Sequence, residues 1–461
     1  MTTTDSWKER LTFNTGGGFF DMPDDVTRGV PVRLFLTTGL LADLEDSVYQ
    51  QIMTATRFPG VKLVVITPDC HHGYGVPVGC VIVTDPDAGA VALGPVGFDI
   101  GCGMVSLRSD VPAEAATELR RLAFNRAVML RVSMGQGERG VGRLAGLDRA
   151  EFERLIRGGA DYYSATYGER MDRTRAERNC IPVSDAWQLP QSRADRGMSQ
   201  LGSLGGGNHF IELQRSEQTD TLFVQIHTGS RGFGHGLAEH YFRVAKGEQP
   251  DVIRNLDEAW FAAESPRRDE YLAAVAAGGN YAIINRLVIA EEVSAAFREV
   301  FMANLELVYE ISHNLVQREW SDEFGWVNVH RKGATRAFPA HHPALDGTPW
   351  FDTGHPVLIP GSNRDWSYIL RPTGSAKSAY SVNHGSGRRM SRTAAKKQLD
   401  QAMIDDDYRR AGIVVNLDGR VPIDESGPAY KSSAEVIAAI TNAGLAEVEH
   451  RLWPLASLKA M

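Results

Sequence analysis

The sequence predicts an α+β fold: one large integrated domain over residues 1–461, with mixed sheets and surrounding helices. Three observations lead there. Short β-branched runs alternate with stretches of helical composition from about residue 61 onward. Glycine-rich turns are spread over nearly the whole length. No internal repeat, low-complexity tract or linker divides the chain, although 461 residues would suffice for two or three ordinary domains.

Taken in order, Val61–Thr67 reads as a buried strand that ends where Pro68, Asp69 and the following glycines mark a loop. Cys80–Thr84 is a second strand, closed by Asp85-Pro86-Asp87. Residues 113–130 and 148–164 have helical composition and spacing. The charged, irregular segment 165–200 reads as loops around a short element. Phe210–Leu213 and Leu222–Ile226 are strands beside glycine-rich turns, and each brings a histidine, His209 and His227. Residues 236–315 read as largely helical. The spacing of Ile283, Leu287, Ala290, Val293, Phe297, Val300 and Leu307 predicts a long amphipathic helix with His313-Asn314 near its end. Trp326–His330 is strand-like and leads into the basic loop Arg331–Arg336. Val357–Ile359 runs into the Pro360-Gly361-Ser362 turn, and Tyr380–Asn383 into His384-Gly385-Ser386-Gly387-Arg388. Ser391 is expected to cap a helix. Ser432-Ser433-Ala434-Glu435 reads as a capping box, with Gly444 just past that helix.

Composition narrows the function classes. With 43% hydrophobic and 23% charged residues, the chain can bury a sizeable core. No window approaches eighteen consecutive apolar residues, which argues against a membrane span. The start, Met1–Arg10, lacks the apolar stretch of a signal peptide. Four cysteines (Cys70, Cys80, Cys102, Cys180) do not make a disulfide framework, so a reducing, cytoplasmic setting is expected. The net charge of −8, from 49 basic and 57 acidic residues, is no overall basic footprint. A polyanion would have to meet local patches, one at Arg331, Lys332 and Arg336, another at Arg388, Arg389, Arg392, Lys396 and Lys397.

The chemistry concentrates at Gly97-Phe98-Asp99-Ile100-Gly101-Cys102-Gly103-Met104, where glycines permit a tight turn that holds a carboxylate and a thiol three residues apart. Alone, a structural cysteine is the plainer reading. The wider pattern changes it, because Asp99, Cys102, His209, His227, His313 and His384 each lie in or beside a Gly- or Asn-containing turn or an element end. One carboxylate, one thiolate and three imidazoles can hold two metal ions with the sulfur shared. Zinc, manganese, iron and cobalt all accept such donors. The glycine turns can also face phosphate, yet neither a P-loop nor a dinucleotide fingerprint is present. His384, flanked by small residues with Arg388 close by, has the setting of a nucleophile toward phosphorus.

Seven segments, in order over about residues 60–461, resemble the RtcB family of RNA-splicing ligases. They are Pro68-Asp-Cys-His-His-Gly-Tyr-Gly75, Gly97-Phe-Asp-Ile-Gly-Cys-Gly103, Gly205-Gly-Gly-Asn-His-Phe-Ile-Glu212, His227-Thr-Gly-Ser-Arg-Gly232, His313-Asn314, His330-Arg-Lys-Gly-Ala-Thr-Arg-Ala337 and His384-Gly-Ser-Gly-Arg388. The resemblance implies an RtcB-like catalytic domain. It implies a GTP- and manganese-dependent ligase joining RNA 3′-phosphate or 2′,3′-cyclic phosphate ends to 5′-hydroxyl ends, in tRNA splicing or RNA repair. RNA, as tRNA halves or cleaved RNAs, and GTP are the implied partners, with an archease-like activator as a candidate third.

Carried over by motif, Asp99, Cys102 and His209 would bind one manganese ion, and Cys102, His227 and His313 a second, with zinc or cobalt as candidate substitutes. His384 would attack the α-phosphorus of GTP and carry GMP as a phosphoramidate. Asn208, His209, Phe210, Ile211, Glu212, His313, Asn314, Pro360, Gly361, Ser362, Ser367, His384, Gly385, Ser386, Gly387 and Lys459 would hold the guanylate. Arg331, Lys332, Arg336, Arg388 and Arg389 are expected along the RNA path. Two departures bear on nucleotide choice. The segment Pro360–Ser367 lacks the Met-Gly that usually follows Pro-Gly-Ser in the family, so Asn363, Arg364 and Trp366 are expected to narrow or reshape the pocket. The chain ends Lys459-Ala460-Met461 where the family typically ends Lys-Gly. Two other readings stay open: a divergent paralogue that caps or repairs 3′-phosphate ends, and a non-catalytic metal-bound RNA binder.

Overall fold

Strands buried at nearly every residue build two large mixed sheets. The first, the site sheet, runs in the order Glu306–Ser312, Gly103–Pro112, Thr221–Thr228, Phe210–Ser216, Ala446–Leu458, Ser367–Pro372, Val357–Ile359, with Val414–Val415 added in parallel beside Ala456–Ser457. The second runs Thr12–Asn14, Phe19–Asp21, Val32–Leu34, Val61–His71, Val78–Thr84, Gly325–Lys332, Asn314–Ser321. Its one parallel pairing joins Val32–Leu34 to Val64–Ile66. The chain crosses from the edge of one sheet to the edge of the other at His313, the single residue between Ser312 and Asn314. The architecture is α+β. This computed structural model describes residues 6–135, 144, 146–168 and 170–460; Met1–Asp5 and Met461, included in the sequence reading, lie outside the described residues.

The helix Arg267–Phe301 runs through the core behind the site sheet. It is not amphipathic as the spacing predicted, since its buried residues point to all sides. Among the described residues it is the helix long and apolar enough to cross a membrane, but 94% of its most apolar window is buried against the rest of the chain. Its small residues let neighbours come close. A Cβ on Gly278 would stand 3.0 Å from Ile100, and one on Gly101 would stand 2.9 Å from the Gly279 Cα. Gly101 itself has φ +73°, a conformation that glycine adopts without strain. The Asp99–Cys102 turn is thus seated directly on the helix.

Several elements differ from expectation. Helix does not continue to 315: Glu306–Ser312 is a strand whose Tyr309 and Ile311 share one face, while a register shift after Leu307 turns that residue into the core on the other side. The strand from Val61 does not stop at Pro68 but reaches His71, because a register shift between Ile66 and His71 lets Pro68 sit at an irregularity rather than in the ladder. Segment 165–200 contains a ten-residue helix, Gln191–Gln200. The helices foreseen at 113–130 and 148–164 span Glu118–Met129 and Arg149–Tyr167. Ser391 caps its helix, its Oγ accepting from Ala394 N at 3.1 Å. Ser432 precedes the helix Ser433–Asn442 without a side-chain cap, since Glu435 instead accepts from the Thr37 hydroxyl at 3.0 Å. Gly444 follows that helix with φ +63°. All four cysteines are free.

Candidate metal and nucleotide site

The antiparallel register of the site sheet assembles the donors. Met104 pairs with His227, His227 with Phe210, and Gly103 with Ser312. Cys102, His227, His209 and His313 therefore reach the same end of four adjacent strands. Cys102 Sγ lies 3.2 Å from His227 Nε2 and 3.5 Å from His209 Nε2. His209 Nε2 is 3.0 Å from Asp99 Oδ2, and the Nε2 atoms of His227 and His313 are 3.3 Å apart. Two triads result, Asp99–Cys102–His209 and Cys102–His227–His313, each with donor atoms within 4.8 Å of one another and with Cys102 in common.

The hydrogen bonds behind these rings decide which nitrogens face inward. His209 Nδ1 gives its proton to Leu204 O at 2.9 Å, and His227 Nδ1 to Asn208 O at 3.1 Å. Carbonyls only accept, so each Nδ1 carries a proton and each Nε2 faces the sulfur, that of His209 facing the Asp99 carboxylate as well. Two ring nitrogens, a sulfur and a carboxylate converging on one small volume form a donor set that a cation fits. Burial, reinforced by the neighbouring histidines, holds His227 and His313 well below the ordinary imidazole range, so both stay neutral, as ligands must. Burial alone would raise Asp99, but His209, Cys102 and Arg231 outweigh it and keep the carboxyl ionised. Burial and Asp99 push the Cys102 thiol well up. Ser230 N and Oγ fix the second Asp99 oxygen at 2.9 and 3.3 Å.

His384 stands beside this cradle, its ring 4.6 Å from that of His313. Its Nδ1 donates to Asp69 Oδ2 at 2.7 Å, while the Thr67 hydroxyl donates to Asp69 Oδ1 at 2.7 Å. With Nδ1 committed to Asp69, Nε2 is the ring nitrogen left for the cavity. Next to it opens a cavity of about 350 Å³ lined by Asp99, Cys102, His227, His313, His384 and most of the proposed guanylate contacts. Asn208, Phe210, Glu212, Asn314, Pro360–Ser362, Gly385–Gly387 and Lys459 all line it. Burial raises Glu212 to about 7.

Not every expected contact reaches the cavity. Ile211 alternates to the opposite strand face and joins the core. Ser367 is fully buried behind the turn, where its Oγ accepts from Gly361 N at 3.0 Å. Of Asn363, Arg364 and Trp366, Asn363 lines the cavity; its Oδ1 accepts from the Tyr408 hydroxyl at 2.6 Å. Arg364 turns away to Asp407, and Trp366 packs on Trp453 under Arg451. The basic loop is corrected more sharply. Arg331 is 2% exposed and gripped by Glu319 at 2.7 and 2.9 Å, and Arg336 is 9% exposed and paired with Glu177. Buried and neutralised, neither faces an RNA path. Lys332 is also buried but lines the cavity, donating to Tyr74 O at 2.6 Å, and burial lowers its ammonium to about 8. Arg388 lines the cavity and pairs with Glu425, while Arg389 is exposed.

The family model for "tRNA-splicing ligase RtcB" matches residues 51–460. The chain belongs to the RtcB family. It is similar to the "RNA-splicing ligase RtcB" of Mycobacterium tuberculosis, 35% identical over 433 residues, which cover 89% of this chain and all of that protein. It is likewise similar to the "tRNA-splicing ligase RtcB" of Pyrobaculum aerophilum, 34% identical over 93% of this chain and 95% of that one. The same holds for the Archaeoglobus fulgidus protein of that name, 34% identical over 93% and 94%. In this RtcB-family chain, motif reading missed the partners that hold the site. Asp69 stands in a quoted motif but had no role, and Glu425, which pairs with Arg388, Arg392 and Lys459 around the cavity rim, stood in no motif. Asn285 and Arg286 interrupt an apolar helical run, Tyr281–Ala290, and that interruption was the available signal.

Proposed function

We propose that this chain is a GTP- and manganese-dependent RNA ligase, joining 3′-phosphate or 2′,3′-cyclic phosphate ends to 5′-hydroxyl ends, with residues 1–461 acting as one catalytic unit in the cytoplasm. The observation that carries the reading is His384, its Nδ1 held by Asp69, beside two donor triads that share Cys102 at one wall of the cavity. Membership of the RtcB family supports it.

Asp69 holds the Nδ1 proton of His384, so Nε2 attacks the α-phosphorus of GTP. An N–P bond forms as the bond to pyrophosphate breaks. A 2′,3′-cyclic phosphate is first opened by water, which breaks the bond to the 2′-oxygen. The GMP then passes to the RNA 3′-phosphate, returning the electron pair to Nε2, and the 5′-hydroxyl attacks that activated end, loses its proton and expels GMP. Asp99, Cys102 and His209 would hold one manganese ion, and Cys102, His227 and His313 the other. When bound, these ions supply Lewis-acid neutralisation of triphosphate and pyrophosphate charge. Asn208, Phe210, Glu212, Pro360–Ser362 and Lys459 enclose the guanylate; the Lys459 ammonium sits 5.5 Å over the Phe210 ring.

With Arg331 and Arg336 buried, the RNA path runs instead along an adjoining groove of about 1020 Å³. Lys246, Arg254, Arg388 and Arg392 line it, together with Glu45, Asp257 and Glu258. Tyr74, 66% exposed, stands at the lip common to groove and cavity with its carbonyl pinned by Lys332, a ready surface for a base to stack on.

Incubation with labelled GTP and manganese tests the reading. An acid-labile label on the protein, absent from His384→Ala, is the expected result, followed by circularisation of RNA bearing a 2′,3′-cyclic phosphate and a 5′-hydroxyl. A wild type that takes no label with any divalent metal would sink the proposal. Labelling that yields only a stable capped 3′ end would favour the repair paralogue.

A further inference from the structure

Asn285 and Arg286 are both fully buried in the central helix, where apolar residues would pack at lower cost. Arg286 reaches the site through its planar fork. Its Nη1 donates to Gly101 O at 2.6 Å and to Thr228 O at 3.3 Å, and its Nη2 donates to Ser312 Oγ at 2.8 Å. Gly101, Thr228 and Ser312 are the sequence neighbours of Cys102, His227 and His313. One rigid guanidinium thus touches all three turns that carry a single donor triad. Glu310 accepts from its Nε at 2.9 Å and is itself paired with Arg173, which offsets the buried charge.

Asn285 acts one residue earlier and on the other side. Its Oδ1 accepts from Gly202 N at 2.8 Å, and its Nδ2 donates to Ser203 O and Gly229 O, both at 3.2 Å. Those bonds hold the loop whose Leu204 carbonyl orients His209, and the turn beside Ser230 that holds Asp99.

We propose that Arg286 is a positioning residue that sets the spacing of the Cys102–His227–His313 half of the cradle, while Asn285 sets the Asp99–His209 half. Each residue biases one half, although the halves stay linked because Cys102 belongs to both triads and Asn285 Nδ2 also donates to Thr228 Oγ1 at 3.3 Å. This rests on the two-metal reading above.

The test is calorimetric titration of the full, metal-stripped chain with Mn²⁺, repeated with Co²⁺ while following thiolate-to-cobalt absorption at Cys102. The wild type is expected to bind two ions. Arg286→Lys keeps the charge but loses the fork, and should weaken one of the two sites by about 10–100-fold and the other, which shares Cys102, by a clearly smaller factor. Ser312→Ala removes a single acceptor and leaves the buried charge paired, so it guards against misfolding of the first variant; it should weaken the same site by about fivefold. Asn285→Ala should weaken the opposite site. Unchanged affinities in Arg286→Lys and Ser312→Ala, or equal losses at both sites, would overturn the assignment and leave the ligase reading intact. A wild type that binds neither ion would overturn the metal reading and this assignment with it.

Discussion

Asp69 shows what a single residue contributes here. Its carboxylate stands 315 positions from His384 in sequence and 2.7 Å away in space, and it selects the tautomer that leaves Nε2 unprotonated. Asp69→Asn is expected to reduce GMP transfer onto His384 by about 10²-fold or more through loss of that selection, with Mn²⁺ uptake unchanged. Label incorporation beside a metal titration reads both; a variant that labels at the wild-type rate would contradict the role. The ligand types themselves were legible, because Asp99, Cys102, His209, His227 and His313 all stand at glycine or asparagine turns. The fate of the arginines was not. Arg331 and Arg336 sit in a basic run that reads as an exposed patch, but Glu319 and Glu177 bury and neutralise them, and nothing local announces a partner that distant.

Elements bring these residues together by register. Adjacent antiparallel strands set Cys102, His209, His227 and His313 at one end of the sheet, and the central helix supports their turns from behind. That support demands close approach at Gly101. In Gly101→Ala the φ of +73° becomes strained, and the new Cβ would stand 2.9 Å from the Gly279 Cα and 3.0 Å from the Ala282 Cβ. A loss of about 1–3 kcal/mol is expected, together with weaker metal uptake. The urea midpoint and a metal titration measure the two, and wild-type values for both would refute it. β-branched runs made the strands near 61–67, 80–84 and 222–226 legible, but not Gly103–Pro112, Glu306–Ser312 or Ala446–Leu458. The central helix misled, because its apolar face closes all the way round, and a periodicity argument sees a stripe only where the opposite face is polar.

For the whole molecule, acid sensitivity follows from burial. Burial lowers His71, His330 and His355 each to about 4. The unfolded chain takes up those protons from about pH 6.5 downward, while the native chain resists until near 4. Stability is therefore full above about 6.5 and falls as the pH drops toward 4, by about 1.4 kcal/mol per unit for each imidazole. Urea unfolding of the metal-free chain at about pH 7 and about pH 5 checks the sign; an unmoved midpoint would count against it. The groove makes a second large-scale prediction. Reversing Lys246 and Arg254 together should weaken RNA binding and flatten its salt slope by about 1.4, with GMP transfer to His384 untouched. Anisotropy with labelled RNA across a salt series reads it, and an unchanged slope would move the path elsewhere.

The sequence by itself determined which groups are candidates for chemistry, since metal donors and a nucleophile must stand at turns where backbone and side chain can approach an ion or a phosphate. It also determined the family and the α+β class, which short-range patterning records. Only the tertiary structure decided which charges are neutralised, which cavity wall Asn363 occupies and which buried residues brace the cradle. Those outcomes depend on partners far apart in the chain, whose meeting is a property of sheet register and packing rather than of any local stretch.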